Sequence, residues 1–399
     1  MNDSGSQRER RPGQIPGYHN MEKLFSLAQE IYYSDTFLDF TKQFAFYDTD
    51  LIFTEQVLYK NYIQACNPAC PILIKDDYSV SEPDEETVDR ILEHLSGKKI
   101  KRIIAIGGGS VIDIAKALMI RDAYPIGRIL RKEAAVSVDK MLIAIPTTCG
   151  TGSEITSSGI IIQKGTGLKT ILPSNGLSSK IAVLIPEFIK GLPFRSFVYC
   201  SMDALSHAME SYLAKGYTTV FSRSVASTAI ELIVSNFVGI ALNGAEFQKE
   251  CARDAIFASA LAGISMTNSN CGPVHALAYP VGEKYHMSHG EGNYQFLTPV
   301  MNLYQKKNPE GELLMKMKRL ILPALKRFDT DVTDETVFSV LEKVLNTALP
   351  QRGLHECGMT REDITPFAQS IMETKMRLIN PSYVPFTEQD AIDIYTARL

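Results

Sequence analysis

Short apolar runs punctuate the first half of the chain, and long amphipathic stretches fill the second. DLIFTEQ (50–56), CPILIK (70–75), KRIIAIG (101–107) and MLIAIP (141–146) are Ile-rich runs that stop at polar or glycine residues. Their consecutive apolar positions predict strands buried on both faces. EETVDRILEHLSG (85–97) lies between two of them, with apolar residues at helical spacing and a Gly stop. Strand alternating with helix predicts a parallel sheet with right-handed crossovers. IIIQKGTGLKT (160–170) and KIAVLI (180–185) predict further strands around a Gly turn. MEKLFSLAQEIYY (21–33) begins a helical pattern.

The texture changes near residue 195. FVYCSMDALSHAMESYLA, FSRSVASTAIELIVSNFV, KECARDAIFASALAGI, LLMKMKRLILPALKRF and ETVFSVLEKVLNTAL all carry apolar residues at helical spacing. Strand signals disappear. The expected fold is α/β plus all-α, with an α/β domain over 21–195 and an all-helical domain over 196–399. Residues 1–20 are polar, with Gly, Pro and three Arg, and predict a disordered or non-native extension. No apolar segment follows those arginines, so a secretory signal is not expected.

Composition narrows the function classes. Lys+Arg 41 against Asp+Glu 45 leaves a net charge of -4, which argues against a dedicated nucleic-acid binder. No uninterrupted apolar run reaches the length of a membrane span, so no membrane partner is expected. Seven scattered cysteines do not form a disulfide framework. They fit a reducing compartment, and a cytoplasmic location is expected. The seven histidines are His19, His94, His207, His275, His286, His289 and His355, and four fall between 207 and 289.

Strand KRIIAI runs into Gly107, Gly108, Gly109 and Ser110, then into VIDIAKALMI. Val111, Ile112, Ala115, Leu118 and Met119 form one apolar stripe of that helix. Glycines between a strand and a helix let backbone N–H groups approach a pyrophosphate, and the helix end adds partial positive charge. The pattern is not G-x-G-x-x-G, and a tight turn without a ligand is the plainer alternative. Strand MLIAIP ends in PTTCGTGSEIT (146–156), with five hydroxyl side chains and two glycines. The C-terminal ends of strands are where open α/β sheets bind ligands. Two such loops on neighbouring strands predict a dinucleotide site. Glu55, at the end of DLIFT, can bond a ribose hydroxyl and favours NAD over NADP.

Asp203 and His207 are four apart in MDALSHAMESY, on one helix face. His275 lies in CGPVHALAYP and His289 in YHMSHGEGN, both loop-like and Gly-rich. Three imidazoles and a carboxylate suit Fe²⁺, with Zn²⁺ possible. His286 competes with His289, which directly precedes Gly-Glu-Gly and is preferred. A dinucleotide beside a metal with an open position implies metal-assisted hydride transfer.

GGGSVID, PTTCGTGSE, DALSHAMESY and HALAYPVGEKYHMSHGEGN, in this order, resemble the iron-dependent (group III) alcohol dehydrogenase family over nearly all of 21–399. PTTCGTGSE with its Cys, LIPEFIKGLP, and HALAYP followed by YHMSHGE resemble its 4-hydroxybutyrate dehydrogenase branch. The resemblance implies a parallel-sheet dinucleotide domain, a helical metal domain and a cleft between them. It implies metal ligands Asp203, His207, His275 and His289. Carried over by motif, Gly107, Gly108, Gly109, Ser110 and Asp113 would serve the pyrophosphate end. Thr147, Thr148, Thr151 and Thr156 would line the cofactor, with Lys169 nearby.

Two positions depart from the family pattern. Tyr279 stands where many members carry a further His near nicotinamide and substrate. Glu82-Pro83 replaces an Asn-Pro pair. Tyr279 and His286 are the candidate catalytic or substrate-contacting residues. The implied substrate is a small 4-hydroxy acid or its aldehyde, and the implied assembly a homodimer or larger homo-oligomer. The substrate carboxylate calls for a cation, and Lys284, His286 and Arg195 are candidates. Uncharged primary alcohols such as butanol or propanediol are the alternative substrates. A lyase resembling dehydroquinate synthase and a non-catalytic binding protein are the other classes weighed.

Overall fold

The computed structural model describes residues 23–80, 82–173 and 176–399. The expectation for residues 1–20, and His19 with it, lies outside them. The strands are β1 (Glu30–Tyr33), β2 (Asp50–Thr54), β3 (Ile72–Ile74), β4 (Arg102–Gly107), β5 (Met141–Pro146), β6 (Ile160–Ile162), β7 (Lys169–Ile171) and β8 (Ile181–Leu184). Six of them form one sheet in the order β1-β8-β5-β4-β2-β3, with every pairing parallel. β6 and β7 form a separate antiparallel pair around the Gly turn.

Alternation across the pleat explains why these runs are apolar at every position. Leu51, Phe53, Ile103, Ala105, Leu142 and Ala144 face one side. There they meet α2 (Glu85–Leu95) and α3 (Gly109–Leu118) through Val88, Ile91, Val111 and Ile112. Ile52, Ile104, Ile106, Ile143 and Ile145 face the other, against Phe188 and α1 (Phe37–Gln43). A sheet covered on both faces needs no polar face.

Beyond β8 the chain is helical: α4 (Phe194–Leu213), α5 (Val220–Asn243), α6 (Phe247–Asn268), α7 (Pro273–Tyr285), α8 (His289–Lys307), α9 (Glu312–Leu325), α10 (Val337–Ala348), α11 (Arg361–Thr374) and α12 (Glu388–Arg398). One apolar cluster joins them, including Phe197, Ile230, Ile256, Leu277, Phe296, Leu341 and Tyr395. By length and composition α5 is apolar enough to cross a bilayer, with mean hydropathy 1.8. It packs instead against α4, α6, α9 and α10.

Two expectations are overturned. Over the described part of 21–33 no helix forms, since residues 23–29 are irregular and 30–33 form β1. EIYY is an edge strand whose partner is β8, about 150 residues away, with Glu30 opposite Ile181 and Tyr33 opposite Leu184. The segments around His275 and His289 are helices, not loops. Pro273 opens α7 at its first turn, where a missing N–H costs nothing. The glycines after His289 serve helix packing. A Cβ on Gly290 would fall 2.1 Å from the Tyr199 carbonyl of α4.

Candidate active site

The chain leaves β2 for β3 on one side of it and returns to β4 on the other, so the topological switch lies between β2 and β4. Glu55 follows β2, Gly107 ends β4, and Gly109 begins α3. Gly108 precedes α3 without a side-chain cap, so the first N–H groups of α3 have no side chain to take them up. Gly107 pairs with Pro146 on β5, and Thr147 donates its N–H to the Gly107 carbonyl at 3.1 Å. The two predicted loops abut. A Cβ on Gly109 would meet Thr151 Cγ2 at 2.9 Å, and one on Gly108 would meet Thr148 Cγ2 at 3.3 Å.

Lys116 locks them together. Its side chain is fully buried, and Nζ donates to Ser153 Oγ (2.8 Å), Thr156 Oγ1 (3.1 Å) and the Ser158 carbonyl (2.6 Å). Burial lowers its basicity, while Asp113 works to raise it. Asp113 accepts from Ser153 Oγ and from the Ile160 N–H. Asp113 and Thr156 are thus turned to holding the loops, whereas Thr151 is exposed. Lys169 Nζ pairs with Glu82 Oε1 at 2.8 Å, so the acid at the departing Glu-Pro pair is compensated.

The second loop also reaches the helical half. Cys149 Sγ lies 3.5 Å from Ser201 Oγ, and Gly150 packs against Cys200. Both partners are on α4, which carries Asp203 and His207 one turn apart. His275 comes from α7 and His289 from the first residue of α8.

These four side chains converge. Asp203 Oδ1 lies 3.7, 3.8 and 3.6 Å from the Nε2 atoms of His207, His275 and His289. All four donor atoms lie within 4.8 Å of one another. A tetrahedral set at about 2.1 Å from its ion has donor spacings of about 3.4 Å, so the donors fit one divalent cation. Asp203, His207 and His275 are buried, while the His289 side chain is 37% exposed. The set is open on that side. Burial raises the Asp203 pKa, but the three imidazoles outweigh it and hold the carboxyl below its ordinary value. Desolvation lowers His207, and lowers His289 to about 4. Both are neutral imidazoles at neutral pH, as ligation requires.

Two further residues complete the cage. Glu210 Oε2 lies 2.6 Å from His275 Nδ1, and its Oε1 accepts the Val274 N–H at 2.6 Å. Burial acts against protonation of His275, but Cys271 and Glu210 together carry its pKa well above the ordinary value, so a cation bound at Nε2 would displace a proton there. Asn293 Nδ2 donates to Asp203 Oδ1 at 2.8 Å and lies 3.2 Å from His275 Nε2. Asn293 Oδ1 is buried with no partner. A half-turn of the amide would point it at the donors, where a cation would satisfy it. Glu210 follows Asp203 and His207 at i, i+4, i+7, and Asn293 is four after His289. That spacing was the available signal for both. For Lys116 the signal was its place three after Asp113.

Tyr279, four residues after His275, packs beside the cluster with its ring 6.0 Å from that of His289. Burial raises its pKa, so Oη keeps its proton. His286 is not brought in: it ends α7 in the left-handed region (φ 53) and is exposed. The three carboxylate-binding candidates are also elsewhere. Lys284 pairs with Asp363, Arg195 lies over the Tyr199 ring, and His286 points to solvent's side of the α7 end.

Residues 34–186 match the family model for iron-containing alcohol dehydrogenase, and residues 197–399 match the C-terminal model of the same family. The chain is 37% identical to 4-hydroxybutyrate dehydrogenase of Clostridium kluyveri over 94% of its own length and 99% of that protein. It is 30% identical to NAD-dependent methanol dehydrogenase of Bacillus methanolicus over 78% of this chain and 81% of that one. Sulfoacetaldehyde reductase from Bifidobacterium kashiwanohense, solved in complex with NAD+, has the same fold, with TM-score 0.79 and 21% identity over 95% of this chain and 99% of that one. With both halves matched, this chain belongs to the iron-containing alcohol dehydrogenase family.

Proposed function

We propose that this protein interconverts 4-hydroxybutyrate and succinate semialdehyde with NAD. One observation carries the reading: a four-donor cation site lies beside the second Gly/Thr loop, whose Cys149 and Gly150 pack on the helix that carries Asp203 and His207. The 4-hydroxybutyrate dehydrogenase similarity over almost the whole chain supplies the substrate. Residues 21–195 would bind the dinucleotide and 196–399 the metal. A homo-oligomer belongs to this reading as the family resemblance implies, and seven free cysteines agree with a reducing, cytoplasmic setting.

Asp203, His207, His275 and His289 would hold Fe²⁺, or Zn²⁺ in its place. When bound, the metal supplies Lewis-acid polarisation of the alcohol or aldehyde oxygen. NAD supplies the hydride acceptor, and its reduced form the donor. Glu210 fixes the His275 ring so that Nε2 is the free nitrogen. Gly107–Gly109 and the uncapped start of α3 receive the pyrophosphate, and Thr147, Thr148 and Thr151 offer neutral hydroxyl and amide partners beside it. Glu55 is placed for a ribose hydroxyl at the same edge. Tyr279 Oη, protonated by burial, offers a hydrogen-bond donor next to the ligands.

The test is a substrate panel under anaerobic metal reconstitution, following NADH. The reading expects a clear preference for succinate semialdehyde over butyraldehyde. Equal kcat/KM for the two would remove the carboxylate from it and leave a general primary alcohol dehydrogenase.

A further inference from the structure

We propose that Lys375 and Arg377 form a carboxylate-binding subsite beside Tyr279, which holds the far end of an ω-carboxylated alcohol or aldehyde. The inference rests on the 4-hydroxy acid reading above and names the cations that reading needs.

The placement follows from α7. His275 and Tyr279 are one turn apart on it, so the Tyr279 ring flanks the donor cluster. That ring lies 6.0 Å from the His289 ring, and Lys375 Nζ sits 4.4 Å from its centroid. Nζ is therefore within about 10 Å of the His289 ring. A four-carbon chain, at about 3.3–3.6 Å for three extended bonds, runs about 5 Å from its reacting oxygen to its carboxyl carbon. A charge-assisted contact adds about 2.8 Å. The sum, about 8 Å, lies within that bound, so a substrate with its oxygen at the cluster can bring its carboxylate to Nζ.

Arg377 adds a second charge. It is exposed and makes no ion pair among the described residues. It lies on the short helix Met376–Ile379, which packs against α7. The segment is anchored, because Asn270 Nδ2 donates to the Arg377 carbonyl at 3.2 Å and Leu378 and Ile379 are buried. Glu283 Oε1 approaches Lys375 Nζ only to 3.7 Å, and both side chains are part-exposed. Such a pair is weak, and a substrate carboxylate competes with it readily. Tyr279 presents its ring face to the cation and brings no charge of its own beside the ligands.

The test uses the metal-loaded, full-length enzyme. Initial rates with succinate semialdehyde and butyraldehyde are compared for wild type, K375Q, R377Q and K375R. Loss of a charged hydrogen bond predicts a fall of about tenfold to a hundredfold in the ratio of kcat/KM values, succinate semialdehyde over butyraldehyde. The fall should lie mainly in KM, and K375R should recover most of it. A ratio unchanged in both Gln variants overturns the subsite, as does an equal loss on both aldehydes, which marks a structural role. A wild type that does not distinguish the aldehydes overturns the 4-hydroxy acid reading and the subsite with it. A wild-type preference that survives both substitutions refutes the subsite alone.

Discussion

Glu210→Gln separates the shape of the metal cage from its charge. The Glu210 side chain is 1% exposed, with Oε2 2.6 Å from His275 Nδ1 and Oε1 2.6 Å from the Val274 nitrogen. A Cβ on Gly272 would fall 2.8 Å from Oε1, so the pocket admits glutamine but little else. If the amide oxygen keeps the Val274 N–H, the amide nitrogen must face Nδ1. Nδ1 then has to accept, and the imidazole proton moves to Nε2, the atom that faces Asp203 at 3.8 Å. A protonated Nε2 cannot ligate. If the amide turns over, the Val274 bond is lost instead. Removing such a carboxylate from a ligating histidine typically costs about 10–100-fold in metal affinity, or about 1.4–2.7 kcal/mol. Chelator-competition titration with Fe²⁺ or Zn²⁺ reads the effect, and circular dichroism checks that the fold is kept. Affinity within about twofold of wild type, in a folded protein, would refute the tautomer argument.

The cofactor loops, the buried thiol and the buried carboxyl each give a further expectation. Gly109→Ala puts a methyl 2.9 Å from Thr151 Cγ2, and overpacking of about 1–3 kcal/mol should raise the NAD KM at least about fivefold; an unchanged KM would show that Thr151 yields freely. Burial pushes the Cys149 thiol up to about 12, so native protein should not be alkylated there by iodoacetamide while urea-unfolded protein is, as peptide mass spectrometry would show. Burial, opposed by a backbone N–H and Lys116, raises the Glu154 carboxyl from 4.5 to about 7. The folded state then binds this proton more tightly than the unfolded chain, so its contribution is full below 4.5 and is lost as pH rises through about 7. Urea midpoints of wild type minus Glu154→Gln should therefore fall from about pH 5 to about pH 8, and a difference that is flat or rises would contradict that sign.

What the sequence revealed follows its local physics. Both glycine loops were legible because each sits at the abrupt end of an apolar run. Asp203 and His207 were legible because four-residue spacing puts them on one helix face. The convergence of His275 and His289 with them depended on chemical fitness as a donor set, and the geometry agrees. β1 was hidden because EIYY has no local signal beyond its two tyrosines, and its strand character depends on β8. α7 and α8 were hidden because Gly, Pro and His crowd their starts, where backbone conformation is set by Pro273 and by close approach to α4. His286 looked like a site residue because it is three before His289, but α7 ends on it and turns it outward. Lys375 and Arg377 had no sequence signal at all. They reach Tyr279 from about a hundred residues downstream, through tertiary packing alone.

The central claim is a metal-dependent oxidoreductase whose substrate is a 4-hydroxy acid or its aldehyde. Its most direct test follows NADH absorbance with succinate semialdehyde in three anaerobic samples: Fe²⁺-loaded wild type, chelator-stripped wild type and His275→Ala. The account predicts NADH oxidation matched by 4-hydroxybutyrate formed in the first, loss in the second with recovery on adding Fe²⁺ back, and loss of both metal and turnover in the third. Full turnover in the stripped protein or in metal-free His275→Ala would contradict it.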